Sequence, residues 1–120
     1  MKTHKEMKQE YKLHKTKKGV FQIKNKKNGK ILIGSSIDLR AIWNRQRAQL
    51  NFGNHPNKEL QNDWKKFGEE TFEYEIITEI KEKEDEEIDF VKEVKELEEL
   101  YIEDIQPFGE KGYNKKQDKM

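Results

Sequence analysis

The sequence predicts an α+β fold, a three-stranded antiparallel sheet flanked by helices. Three observations carry that expectation. Two short apolar runs, Val20 to Ile23 and Ile31 to Ile33, flank a polar turn ending in Asn28-Gly29, the pattern of a β-hairpin. Further along, Phe72, Tyr74, Ile76 and Ile80 alternate with Glu73, Glu75 and Glu79, the period of a strand with one buried face. The remaining apolar residues recur at helical spacing. The order that results is β-β-α-α-β-α.

Length and composition set bounds on what the chain can be. A chain of 120 residues suffices for one core and is too short for two. Charged residues make up 41 % and hydrophobic ones 32 %, so the core must be economical. Two Trp, four Tyr and six Phe argue against wholesale disorder. With no cysteine, disulfides and thiolate metal sites are excluded, which fits a cytoplasmic protein. Neither a signal peptide nor a membrane span is expected from the apolar pattern. The expected organisation is a basic N-terminal extension over 1–18, a domain over 19–114 and a short tail over 115–120.

In chain order, residues 1–18 are Lys-rich, and Met7 and Tyr11 lie one helical turn apart; a short basic helix or a loose tail both fit. In the hairpin, Asn-Gly predicts a turn with positive φ at both central residues. Gly34, Ser35 and Ser36 close the second strand, and Ser35 with Asp38 fits a capping box for the next helix. That helix spans 37–51, with Leu39, Ile42, Trp43 and Leu50 on its inner stripe. Gln46 falls inside the stripe, so it must be hydrogen-bonded or face a cleft. Arg40, Arg45 and Arg47 lie off it. After Gly53, Asn57 is the expected N-cap of a helix over 57–67 whose inner face is Leu60, Trp64 and Phe67. Gly68 is its expected stop. The strand over 72–80 should add beside the hairpin, with 81–87 as a surface connection. A last helix over 87–106 carries Ile88, Val91, Val94, Leu97, Tyr101 and Ile105 as its stripe, and Glu98 sits within it. A carboxylate there is costly unless hydrogen-bonded, paired or metal-bound.

Charge is distributed unevenly. Eleven lysines against two glutamates give residues 1–30 a net +9, and residues 31–68 carry +3. Residues 69–110 carry −14 and the last ten +3. The basic half suits phosphates through counterion release. The acidic region over 82–99 suits a protein partner, and a solvated polyampholyte surface fits both halves.

Gly19-Val20-Phe21, ten residues of hairpin, then Leu32-Ile33-Gly34-Ser35-Ser36 resembles the paired signature of GIY-YIG nuclease domains. The similarity continues through Gly53-Asn54-His55-Pro56-Asn57, Trp64-Lys65-Lys66-Phe67-Gly68 and Phe72-Glu73-Tyr74-Glu75-Ile76 to Gly112-Tyr113-Asn114. The resemblance implies DNA as partner, phosphodiester hydrolysis as chemistry, and Mg²⁺ or another divalent metal as cofactor. It also implies a site made of two strand tyrosines, a helix arginine with a His or Tyr one turn on, and a metal-binding glutamate. On this chain those positions are Phe21, Leu32, Ile42, Gln46 and Glu98; Asn114 also matches. Arg45 and His55 are candidate substitutes for the lost arginine and base, and His55 equally fits a structural role. Lys18, Lys24, Lys30, Ser35, Ser36, Arg40, Arg45 and Asn114 are the candidate DNA contacts, with Ser35 and Ser36 offering amides to a phosphate or capping the helix. Two expectations follow: a DNA-binding, nuclease-like protein with a degenerate site, or a pseudo-nuclease whose cleft serves a protein partner. A relocated base would instead preserve cleavage.

Overall fold

Strand β1 (Lys18–Asn25) is the middle of the sheet, because it alone is covered on both faces. It pairs antiparallel with β2 (Ile31–Ser36) and with β3 (Phe72–Ile80), so the order is β2-β1-β3. The computed structural model describes residues 16–81 and 89–116. The expected basic helix around Met7 and Tyr11, the connection over 82–87, Ile88 and most of the C-terminal tail lie outside them.

Strand alternation divides the core in two. Phe21 and Ile23 point to the side covered by α1 (Leu39–Phe52) and α2 (Lys58–Phe67). There they pack with Leu39, Leu50, Leu60, Trp64, Phe72 and Tyr113. Val20 and Ile33 point to the other side, which α3 (Phe90–Ile105) covers through Val94. A 3₁₀ turn, Glu69–Thr71, links α2 to β3.

Two helix ends follow the sequence closely. Asn57 caps α2 by accepting from the Leu60 amide at 3.0 Å, and Gly53 ends α1 at φ 84°, where only glycine is unstrained. Asp89 caps α3. The C-terminal segment lies along the free edge of β2: the Tyr113 amide donates to the Ile31 carbonyl at 2.8 Å, and Gly112 bridges Ile31 in parallel.

Four local expectations are corrected. The hairpin turn is not a two-residue Asn28-Gly29 turn, since only Gly29 has positive φ (78°). The buried Asn25 side chain accepts from the Lys27 amide, and Asn25 and Lys30 close a loop of the four residues between them. Ser35 does not cap α1; Asp38 does, accepting from the Ala41 amide at 3.0 Å, because the chain stays extended through Ser36. Ile76 is exposed, since a register shift opposite Val20 and Phe21 breaks the alternation of β3. Val91 is 59 % exposed; the helix enters with Phe90 turned inward, which rotates Val91 out by about 100°.

Candidate active site

Three of the expected site positions belong to the wall of the α1–α2 core. Phe21 is 2 % exposed, and its ring lies 5.4 Å from that of Tyr74. Gly34 faces it across the strands; a Cβ there would come within 2.6 Å of the Phe21 ring. Leu32 and Ile42 pack on the same cluster. None of the three carries a proton-transferring or phosphate-binding group. Two phenols lie on this side, those of Tyr113 and Tyr74, and the sequence reading placed Tyr74 only as a strand residue. It stacks on Trp43 at 4.8 Å and donates to the Leu39 carbonyl at 2.6 Å. Burial, helped by the Asp38 charge, pushes it up to about 12, so it stays a donor near neutral pH.

Gln46 and His55, nine residues apart, are brought together. The Gln46 side-chain oxygen bonds His55 Nε2, and the Asn57 amide donates to His55 Nδ1 at 3.0 Å. A backbone N–H can only donate, so Nδ1 carries the lone pair and Nε2 the proton. Burial lowers the imidazole from its ordinary value. The His55 amide donates to Gln61 Oε1 at 2.9 Å, and Gln61 Nε2 donates to the Leu50 carbonyl at 2.9 Å. His55 thus ties α1 to the start of α2. Neither ring nitrogen is free to take a proton from water.

Glu98 stands on the α3 side of the sheet, its side chain 15 % exposed. Ser35 Oγ donates to one carboxylate oxygen at 3.3 Å, and Lys95 Nζ lies 3.3 Å from the other. Beside it opens a groove of about 790 Å³ between α3 and the C-terminal segment, with Ile102, Phe108, Asn114 and Lys115 in its lining. Among the described residues no three His, Asp or Glu side chains come together as a metal cluster. One carboxylate fits only an ion that takes most of its oxygens from water and phosphate.

The expected DNA contacts divide by exposure. Lys18 is 3 % exposed, donates to the Thr16 carbonyl at 3.1 Å and lies 4.8 Å over the Phe90 ring; it is enclosed, not displayed. Lys30 pairs with Glu59 and lies 5.6 Å over the Tyr113 ring, and Lys24 is half-buried in β1. Ser36 Oγ accepts from the Asp38 amide at 3.0 Å. Asn114 aligns its whole amide with β2, accepting from the Ile33 N–H at 2.8 Å and donating to its carbonyl at 2.9 Å. Arg40 and Arg45 are exposed. Residues 82–88 of the acidic region lie outside the described residues, and of those described no helix is long and apolar enough to cross a membrane.

The sequence profile of the GIY-YIG catalytic domain matches residues 17–114. Intron-associated endonuclease 1 of Enterobacteria phage T4 is 38 % identical over 69 residues, which cover 58 % of this chain and 28 % of that relative. The catalytic domain of homing endonuclease I-TevI superposes with a TM-score of 0.67 at 31 % identity, over 83 % of this chain and 99 % of that one. A mutant of the same domain gives 0.68 at 30 % identity, over 82 % and 93 %. The chain therefore matches a catalytic domain and spans just over a quarter of the curated relative.

Proposed function

The chain belongs to the GIY-YIG family, and from that premise we propose that it is a DNA-binding member whose phosphodiesterase site is degenerate. The supporting observation is the filling of the four family positions. Phe21, Leu32 and Ile42 pack on the core, and Gln46 is bonded to His55. Cleavage of a phosphodiester needs a base for water, positive charge at the phosphate and stabilisation of the leaving oxygen. His55 and Tyr74 are both committed to other partners, so neither is free to serve the water as a base. Arg45 is exposed and remains available to a phosphate. Glu98 would hold a divalent ion jointly with the phosphate it serves, and the ion, when bound, supplies Lewis acidity at the leaving oxygen. Losing one positioned group from such a site costs about 10² to 10³ in rate, and here several are replaced.

The test is nicking of supercoiled and branched DNA with Mg²⁺ or Mn²⁺, wild type beside Glu98→Ala, together with binding of the same DNA over a salt series. The expected result is binding that weakens steeply with salt, and nicking no faster than that of the mutant. Metal-dependent nicking lost in Glu98→Ala would overturn the degenerate site and leave a nuclease. Absence of binding at physiological salt would overturn the DNA reading.

A further inference from the structure

We propose that Phe52, at the end of α1, is a stacking platform for an unpaired base, and that this chain prefers DNA with a displaced or single-stranded base over an uninterrupted duplex. The inference rests on the DNA reading above and gives it a substrate class. Phe52 is 84 % exposed, more than the other exposed large hydrophobics, Leu100 at 61 %, Val91 at 59 % and Ile76 at 41 %. At that exposure the ring adds little to the core that Leu39 and Leu50 build on the opposite face of the same helix.

The surroundings of the ring suit a nucleic acid. Ala41, Arg45, Ala48 and Phe52 are spaced to lie on one line of the helix, and all four are exposed. The helix carries three arginines and no acid. Ala48 leaves room for a strand to lie close between the guanidinium and the ring. Arg45 and Phe52 are about 10 Å apart along the axis, roughly three nucleotide steps of one strand. Lys65 adds a cation at the same end, since a Cβ on Gly53 would be 3.4 Å from its Nζ. The nearby carboxylate of Glu69 is already engaged by Arg47 at 3.8 Å and Asn51 at 3.4 Å.

The backbone that carries the ring is anchored before any ligand arrives. Gly53 and Asn54 amides both donate to the Gln49 carbonyl at 3.0 Å. Asn51, one residue before Phe52, accepts from Trp64 Nε1 at 3.0 Å. A ring on an anchored backbone leaves only its own side-chain torsions to be ordered on binding. Aromatic side chains between cations bind bases by stacking, whatever the sequence, but a duplex exposes base faces only where it is interrupted.

The experiment measures fluorescence anisotropy of the full chain on three labelled DNAs of shared sequence: an intact duplex, a duplex with a short single-stranded flap, and the single strand. Phe52→Ala should weaken flap and single-strand binding by roughly 5- to 100-fold and leave duplex binding within about twofold. Phe52→Trp should restore the loss, and 2-aminopurine at the flap junction should be quenched by wild type and by Phe52→Trp but not by Phe52→Ala. Equal effects of Phe52→Ala on all three DNAs, or no effect on any, would overturn the inference while the DNA reading stands. No binding of wild type to any of the three would overturn both.

Discussion

The fold changes the acid–base chemistry of His55. In the unfolded chain it takes a proton near its ordinary value of 6.5, whereas burial in the native site holds it below that. The unfolded state therefore binds more protons as pH falls below about 6.5, and stability must fall with it. The His55 contribution is complete above the unfolded value and is lost as pH drops through the lowered native one. Thermal melts from about pH 8 to pH 5 should show this slope, and His55→Asn, which keeps an acceptor for the Asn57 amide, should flatten it. Phe21 makes the complementary case. Phe21→Tyr would place a hydroxyl where the residue is 2 % exposed, and an unsatisfied buried hydroxyl costs about 1–3 kcal/mol. Urea denaturation should register that loss. With Ile42 and Gln46 unchanged, the same variant should gain no nicking.

Among the elements, β2 depends on what lies at its two sides. Toward β1, Gly34 must admit the Phe21 ring; Gly34→Ala would force a Cβ to 2.6 Å from it. Overpacking of this kind costs about 1–3 kcal/mol, readable as a lower urea midpoint. On the outer edge, Asn114 satisfies both the N–H and the carbonyl of Ile33. Asn114→Ala removes both bonds, and the expected outcome is a loss of about 1–3 kcal/mol, with faster hydrogen exchange at the Ile33 amide. Protection at Ile33 equal to wild type would show that the C-terminal segment is not what closes this edge. The C-terminus of the domain is held further by Tyr113, whose hydroxyl donates to Asp63 at 2.7 Å and accepts from Asn25 at 3.0 Å.

Across the whole molecule, charge separation governs how a polyanion would approach. Residues 1–30 carry +9 and residues 31–68 a further +3, against −14 over 69–110. Binding through the basic half displaces counterions, so log affinity should fall linearly with log salt. Arg45→Ala should reduce the magnitude of that slope by about one if its guanidinium meets a phosphate. An unchanged slope would remove Arg45 from the interface.

The elements and several of their ends were legible because they are local. Gly53, Asn57 and Gly68 act through the backbone of their own neighbours, and the apolar spacing of each helix names its inner face. The family positions could likewise be read by their place in the chain, so Phe21, Leu32, Ile42, Gln46 and Glu98 were visible before any fold. What no local pattern contained was pairing across distance. Ser35 looked like a cap and instead meets Glu98, 63 residues away; Gln46 looked like a lone polar group and instead bonds the ring of His55. Lys18 looked like a DNA contact and lies enclosed beside Phe90. The sequence by itself determined which elements form and which chemical groups the chain possesses. Tertiary structure alone decided which of those groups are already engaged, because burial and hydrogen-bond partners arise only when distant segments meet.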